Sequence, residues 1–330
     1  MRFNRFDGGW AAFLVQSRVS PVSRPAILIL SALAIAGLLA SSATQFTLTT
    51  LPNAWPVIAG VVALDALTLL LPQTRIVQAA QVFLYGFLYL VTICLFGVLA
   101  AYALQRMGFP LRDGLLNRLD IALGFDWPAY AHWVGRHEQV QKVFHFAYNT
   151  ISLQIALPLV VLAFAQRTAE VRTYLLAFTI AFVATIAISA TMPAGGPIVF
   201  IDRNDFGFLH FTGATPVEQL MRLRQPGPFV MTEAPGGIAT FPSFHATIAV
   251  LTPLTLRRFP RILTGLLVLD GLMLAATLTE GAHYLVDVLA GGGMAFAGYA
   301  LAARIIAWDD RRRAAAAAGT GAAEPALGSA

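Results

Sequence analysis

Ala79 to Leu104 reads AAQVFLYGFLYLVTICLFGVLAAYAL, without one Asp, Glu, Lys or Arg. A stretch this long and apolar is the signature of a helix that crosses a bilayer, where lipid offers the backbone no hydrogen-bond partners. Working outward, similar blocks recur at Ala26–Thr44, Ala54–Leu71, Phe146–Phe164, Tyr174–Met192, Ser243–Leu256, Ile262–Thr279 and Tyr284–Ile306. The hydropathy pattern therefore predicts an all-α polytopic membrane bundle of about eight transmembrane helices. Composition agrees: of 330 residues, 57% are apolar and 12% charged, against roughly 25% charged in a soluble domain. Ala40-Ser41-Ser42-Ala43 resembles a cleavage site, but the apolar run before it exceeds the usual length of a signal peptide, and a retained helix is expected.

The +5 net charge does not point to nucleic acid. The basic residues lie in short connections between apolar blocks, where they set orientation. Arg2, Arg5, Arg18, Arg24, Arg75, Arg167, Arg172, Arg257, Arg258, Arg261, Arg304, Arg311, Arg312 and Arg313 all fall on one side of an eight-span bundle. The positive-inside rule makes that side, with both termini, cytoplasmic. Residues 1–25 then form a cytoplasmic tail, 26–308 a transmembrane domain, and 309–330, ending in an Ala/Gly-rich stretch, a disordered cytoplasmic tail. Two outer segments are long. Residues 105–145 carry Trp127, Tyr130 and Trp133, which suit a helix lying at the interface, and 193–242 are rich in Gly and Pro, as a binding loop is. Cys94 is the one cysteine; it allows no intrachain disulfide and reads as packing.

Chemistry concentrates at two helix starts. Phe241-Pro242-Ser243-Phe244-His245 opens one apolar block and Glu280-Gly281-Ala282-His283-Tyr284-Leu285-Val286-Asp287-Val288 opens another. A span runs between them, so both lie at the same outer face. His283 and Asp287 are four residues apart, one helical turn, so the carboxylate can fix one imidazole nitrogen and leave the other as nucleophile or metal ligand. Ser243 and His245 sit where unpaired amides and the helix dipole favour an anion. Zinc ligation by His245, His283 and Asp287 is an alternative. So is a transporter relay using the intramembrane carboxylates Asp65 and Asp270, although such residues more often bond across helices. Tyr148, Asn149 and Ser152 are expected to bond between helices, with a place facing the pocket as the lesser alternative.

These residues carry a resemblance. Pro242-Ser243-Phe244-His245 resembles the Pro-Ser-x-His motif of the type 2 phosphatidic acid phosphatase (PAP2) superfamily. His283-Tyr284-x-x-Asp287-Val288, followed by Gly291-Gly292-Gly293, resembles its last motif, in the form found in inositol phosphorylceramide synthases and sphingomyelin synthases. Leu119-Asp120, Phe125-Asp126-Trp127 and Met192-Pro193-Ala194-Gly195-Gly196-Pro197 are similar to bacterial members of that branch. The likeness spans roughly Leu111–Ala295. It implies a six-helix lipid-phosphatase-like core, no metal and no other cofactor, and a site facing the periplasm from a bacterial inner membrane. It also implies a double displacement in which His283 forms a phosphohistidine, Asp287 orients it and His245 moves protons. The donor would be a phospholipid, or a polyprenyl or sphingolipid phosphate. The acceptor would be a hydroxyl, or water in a simple phosphatase.

Two superfamily features are missing: the Lys-x6-Arg-Pro motif, and a Ser-Arg pair whose places Ala276 and Thr277 take. Other groups must then meet the phosphate charge. Ser243, the amides near Gly195 and Gly196, and Arg203, Arg222 and Arg224 are the candidates, and the loss favours a transferase over a phosphatase.

Overall fold

The computed structural model describes residues 22–48, 55–200, 216–231, 238 and 240–321. These form α1 (Arg24–Ala43), α2 (Trp55–Leu69), α3 (Arg75–Gln105), α4 (Asp113–Ala122), α5 (Trp127–Gly135), α6 (Glu138–Asn149), α7 (Ile151–Phe164), α8 (Thr168–Thr191), α9 (Pro216–Leu223), α10 (Phe244–Leu256), α11 (Pro260–Glu280) and α12 (Leu285–Gly321). Among the described residues the only strands are β1 (Phe46–Leu48) and β2 (Phe229–Met231), a parallel pair with Phe46 opposite Phe229. Hydroxyl or carboxylate caps start some of the helices, where the first amides need acceptors. Thr74 accepts from Val77 N (3.3 Å), and Asp126 from Ala129 N (2.9 Å) with Pro128 in the first turn.

The bundle is all-α and polytopic, but eight spans is too many. Among the described residues, five helices are long and apolar enough to cross a membrane: α1, α3, α8, α11 and the first part of α12, Leu285–Ala315. The pair α6–α7, bent by 49° at its break, makes a sixth if counted as one span. The apolar blocks expected at Ala54–Leu71 and Ser243–Leu256 are present, yet their helices are short. The 13 residues of α10 reach about 20 Å at 1.5 Å per residue, short of a hydrocarbon core of about 30 Å. Hydropathy finds apolar runs; it does not see where turns shorten the helix inside them.

Tyr174 and Phe178 of α8, Leu159 and Leu162 of α7, Ile248 and Leu251 of α10, and Ala295 and Ala302 of α12 form the packed centre. Leu28, Leu70 and Ile76 are exposed, as side chains facing lipid are. The end away from the helix starts of α10 and α12 is tied by charge: Arg172 meets both Asp310 oxygens (2.9 and 3.1 Å), and Arg258 reaches Glu170 (3.2 Å). Past Asp310, α12 continues to Gly321. The alanines there are the strongest helix formers, and they prolong a helix already nucleated in the bundle.

The 105–145 segment holds α4, α5 and the first part of α6, and Trp127 turns inward. It is buried and donates from Nε1 to Leu278 O (2.8 Å), Tyr130 donates to Ala275 O (3.0 Å), and Trp133 alone of the three is well exposed. Helix α4 has an unusual polarity. Asp113, Leu116 and Asp120 are buried on its inner face, while Leu115, Leu119 and Ile121 face outward.

Candidate active site

Helices α10 and α12 begin side by side. Ser243 caps α10, accepting from Ala246 N at 3.3 Å, and its own amide donates to Asp287 O at 3.0 Å. Thr247 Oγ1 adds a bond to Gly291 O (3.0 Å). A Cβ on Gly291 would run into the Ser243 carbonyl, so glycine here permits the two helix starts to touch. His283 is placed between them. Its Nδ1 lies 3.2 Å from Asp287 Oδ2 and its Nε2 lies 3.5 Å from Ser243 Oγ. Asp287 is fully buried; Oδ2 also accepts from Tyr284 N (3.0 Å), and Oδ1 has no partner.

His245, in the first turn of α10, is close enough to His283 for the two rings to interact electrostatically. Its ring is stacked on that of Tyr148 of α6, with centroids 3.9 Å apart and planes 11° from parallel. Gly281, where α11 ends, is the common neighbour: a Cβ there would collide with His283 Cδ2 and approach the Tyr148 hydroxyl. Tyr148 thus faces the histidines instead of bonding between helices. Asn149 bonds within its own helix, to His145 O (2.7 Å), and Ser152 is exposed.

The anion-binding candidates divide. Ser243 is at the centre. The amides of Gly195 and Gly196 are already taken by the Asp113 carboxylate, at 2.9–3.1 Å. Arg224 is half-buried and donates to Gln105 O (3.2 Å) and Oε1 (3.4 Å); burial pulls its pKa down. Arg222 is exposed on α9, and Arg203 lies outside the described residues.

A family model described as the PAP2 superfamily matches residues 115–301, more than half of the chain. The chain belongs to the PAP2 superfamily. No curated protein and no solved structure matches it. Its PAP2 region runs from α4 into α12 and contains Ser243, His245, His283 and Asp287, while α1 to α3 precede it. The bundle is therefore a membrane-embedded member of a phosphatase and phosphotransferase fold.

Among the described residues of this PAP2 member, no three His, Cys, Asp or Glu side chains form a metal-holding group. The zinc reading of His245, His283 and Asp287 has no such cluster to rest on. Asp65 bonds to Tyr85 across α2 and α3. Asp270 is buried beside the side chain of Gln154.

Sequence reasoning gave no site role to three residues around the histidines, Asp113, Asp120 and Tyr284, and gave Tyr148 one only as the lesser alternative. Asp120 accepts from Leu285 N (2.8 Å) and Val286 N (2.9 Å), the first amides of α12. Burial raises its pKa and those two bonds lower it. The Tyr284 hydroxyl donates to Asp113 Oδ1 (3.1 Å); burial and the neighbouring Asp113 charge both hold that hydroxyl protonated. Asp113 and Asp120 carried a signal: two acids on one face of an otherwise apolar helix.

Proposed function

We propose that this protein is a lipid phosphotransferase that works through a phosphohistidine on Nε2 of His283. One observation carries the reading. Asp287 sits 3.2 Å from Nδ1, which makes Nδ1 the protonated nitrogen and leaves a lone pair on Nε2, beside Ser243 Oγ.

In the first half-reaction the Nε2 pair attacks phosphorus. The bond from phosphorus to the leaving oxygen breaks, and that oxygen takes a proton from His245. The negative charge of the bound donor favours the protonated form of His245 that this step needs. In the second half the acceptor hydroxyl gives its proton to His245, its oxygen bonds phosphorus, and the P–N bond returns its pair to Nε2. A placed acid–base group contributes about 10²–10⁴-fold. Ser243 Oγ and the first-turn amides of Phe244 and His245 hold phosphoryl oxygens as charge develops. Arg203, Arg222 and Arg224 are the available cations. Gly195 and Gly196 shape the site through Asp113 instead of binding phosphate.

The donor is a phospholipid, or a polyprenyl or sphingolipid phosphate, and the acceptor a lipid or sugar hydroxyl. What supports transfer over hydrolysis is the His283-Tyr284-x-x-Asp287-Val288 form together with the missing Lys-x6-Arg-Pro and Ser-Arg features. The site lies at the bundle end opposite Arg75, Arg167, Arg172, Arg257, Arg258 and Arg261. With those short connections on the cytoplasmic side, it faces the periplasm of a bacterial inner membrane.

The test is a product assay on the full chain in lipid vesicles, with radiolabelled phospholipids, candidate alcohols and a strong chelator, beside His283→Ala. A new labelled lipid or sugar phosphate, lost in the variant and insensitive to chelation, is the expected result. Free phosphate alone would assign a phosphatase. Turnover by His283→Ala would overturn the histidine chemistry.

A further inference from the structure

We propose that Asp113 and Asp120 of α4 are positioning residues that hold the His283–Asp287 segment in its reactive geometry; the inference rests on His283 being the nucleophile. The residues just ahead of α12, Gly281-Ala282-His283-Tyr284, include no Ser, Thr, Asp or Asn to cap it. Its first amides must still find acceptors. Two carboxylates divide them. Asp287 takes Tyr284 N (3.0 Å), and Asp120, from a distant part of the chain, takes Leu285 N (2.8 Å) and Val286 N (2.9 Å). Asp120 is 2% exposed, so water does not replace these charge-assisted bonds if they are lost.

The division has a chemical consequence. Without Asp120, Leu285 N and Val286 N are two orphan amides at the positive end of the helix, in the same first turn as Asp287. The Asp287 carboxylate is then drawn toward the backbone and away from Nδ1 of His283. Asp120 frees Asp287 to fix the imidazole tautomer.

Asp113 works from the other side. It accepts from the Tyr284 hydroxyl (3.1 Å) and from the amides of Gly195 and Gly196. Gly196 has φ +88°, and a Cβ there would strike the Ala282 carbonyl. The 195–196 turn therefore lies directly against the residue before His283. Asp113 and Asp120 are two turns apart on one buried face of α4. One rigid helix thus grips both sides of the His283 loop.

The experiment compares wild type, Asp120→Asn and His283→Ala in vesicles with one labelled donor, and reads the His283 tautomer by NMR of isotope-labelled histidine. In Asp120→Asn, kcat should fall about 10–100-fold with KM within about threefold, as small misplacements of a reacting group do. The Nδ1-protonated signal of His283 should weaken. If Asp120→Asn fails to fold, Tyr284→Phe removes only the hydroxyl bond to Asp113 and should lower kcat about three- to tenfold. A folded Asp120→Asn, or in its place a Tyr284→Phe, with wild-type kcat and tautomer while His283→Ala is dead would overturn this inference alone. Full turnover by His283→Ala would overturn the nucleophile and the inference with it.

Discussion

The Tyr148 ring lies flat on the His245 ring, 3.9 Å between centroids and 11° from parallel. Such contacts are worth about 0.5–1.5 kcal/mol beyond burial. Tyr148→Leu should therefore lower kcat by up to about tenfold as His245 gains freedom. Tyr148→Phe keeps the stack and should stay within about twofold. Steady-state rates on the same vesicles check both; an unchanged Tyr148→Leu would mean that the stack does no orienting.

Asp287→Asn keeps the size of the side chain but removes the charge that selects the His283 tautomer. A loss in kcat of about 10³–10⁴-fold is expected, as when a histidine-orienting carboxylate is neutralised elsewhere. The assay is single-turnover formation of labelled phosphoprotein, which should be slowed by the same factor.

Gly291 and Gly293 separate packing from helix propensity. Gly291→Ala drives a methyl into the Ser243 carbonyl and should destabilise the protein by about 1–3 kcal/mol. Gly293→Ala meets open space and should be neutral or stabilising by about 0.5–1 kcal/mol. Thermal melts in detergent would show opposite shifts.

Arg222 and Arg224 are two residues apart but differ in setting. The exposed Arg222 should tolerate Ala with kcat/KM within about twofold. Arg224→Ala removes a guanidinium fixed by Gln105 and should raise KM for an anionic donor about tenfold, or 1.4 kcal/mol. Equal KM values for both variants would remove Arg224 from the donor site.

Much of this was legible beforehand. Apolar runs announced a membrane bundle, and the spacing of His283 and Asp287 pointed to a contact between them; the two do meet, but His283 stands in the loop ahead of α12 and not on a shared helical turn. Ser243 read as standing at a helix start because it opens an apolar block; that its hydroxyl caps that helix is a finding of the structure. Span number was not legible, because a bend such as the one between Asn149 and Ile151 leaves the hydropathy of its neighbours unchanged. Nor were the partners of Gly195 and Gly196. An amide pair in a turn looks open to phosphate until an acid some eighty residues earlier is folded against it. The stacking of Tyr148 on His245 escaped for a like reason: a tyrosine among apolar residues carries no mark of the ring it will cover.

Helix α12 begins at the histidine loop and ends at Gly321. At 1.5 Å per residue it is a rod about 55 Å long, longer than the bilayer core it crosses. Its far tip stands on the face away from His283. That tip is a natural handle. Fixing the protein to a support or a reporter through residue 321 leaves the His283 end of the bundle unobstructed.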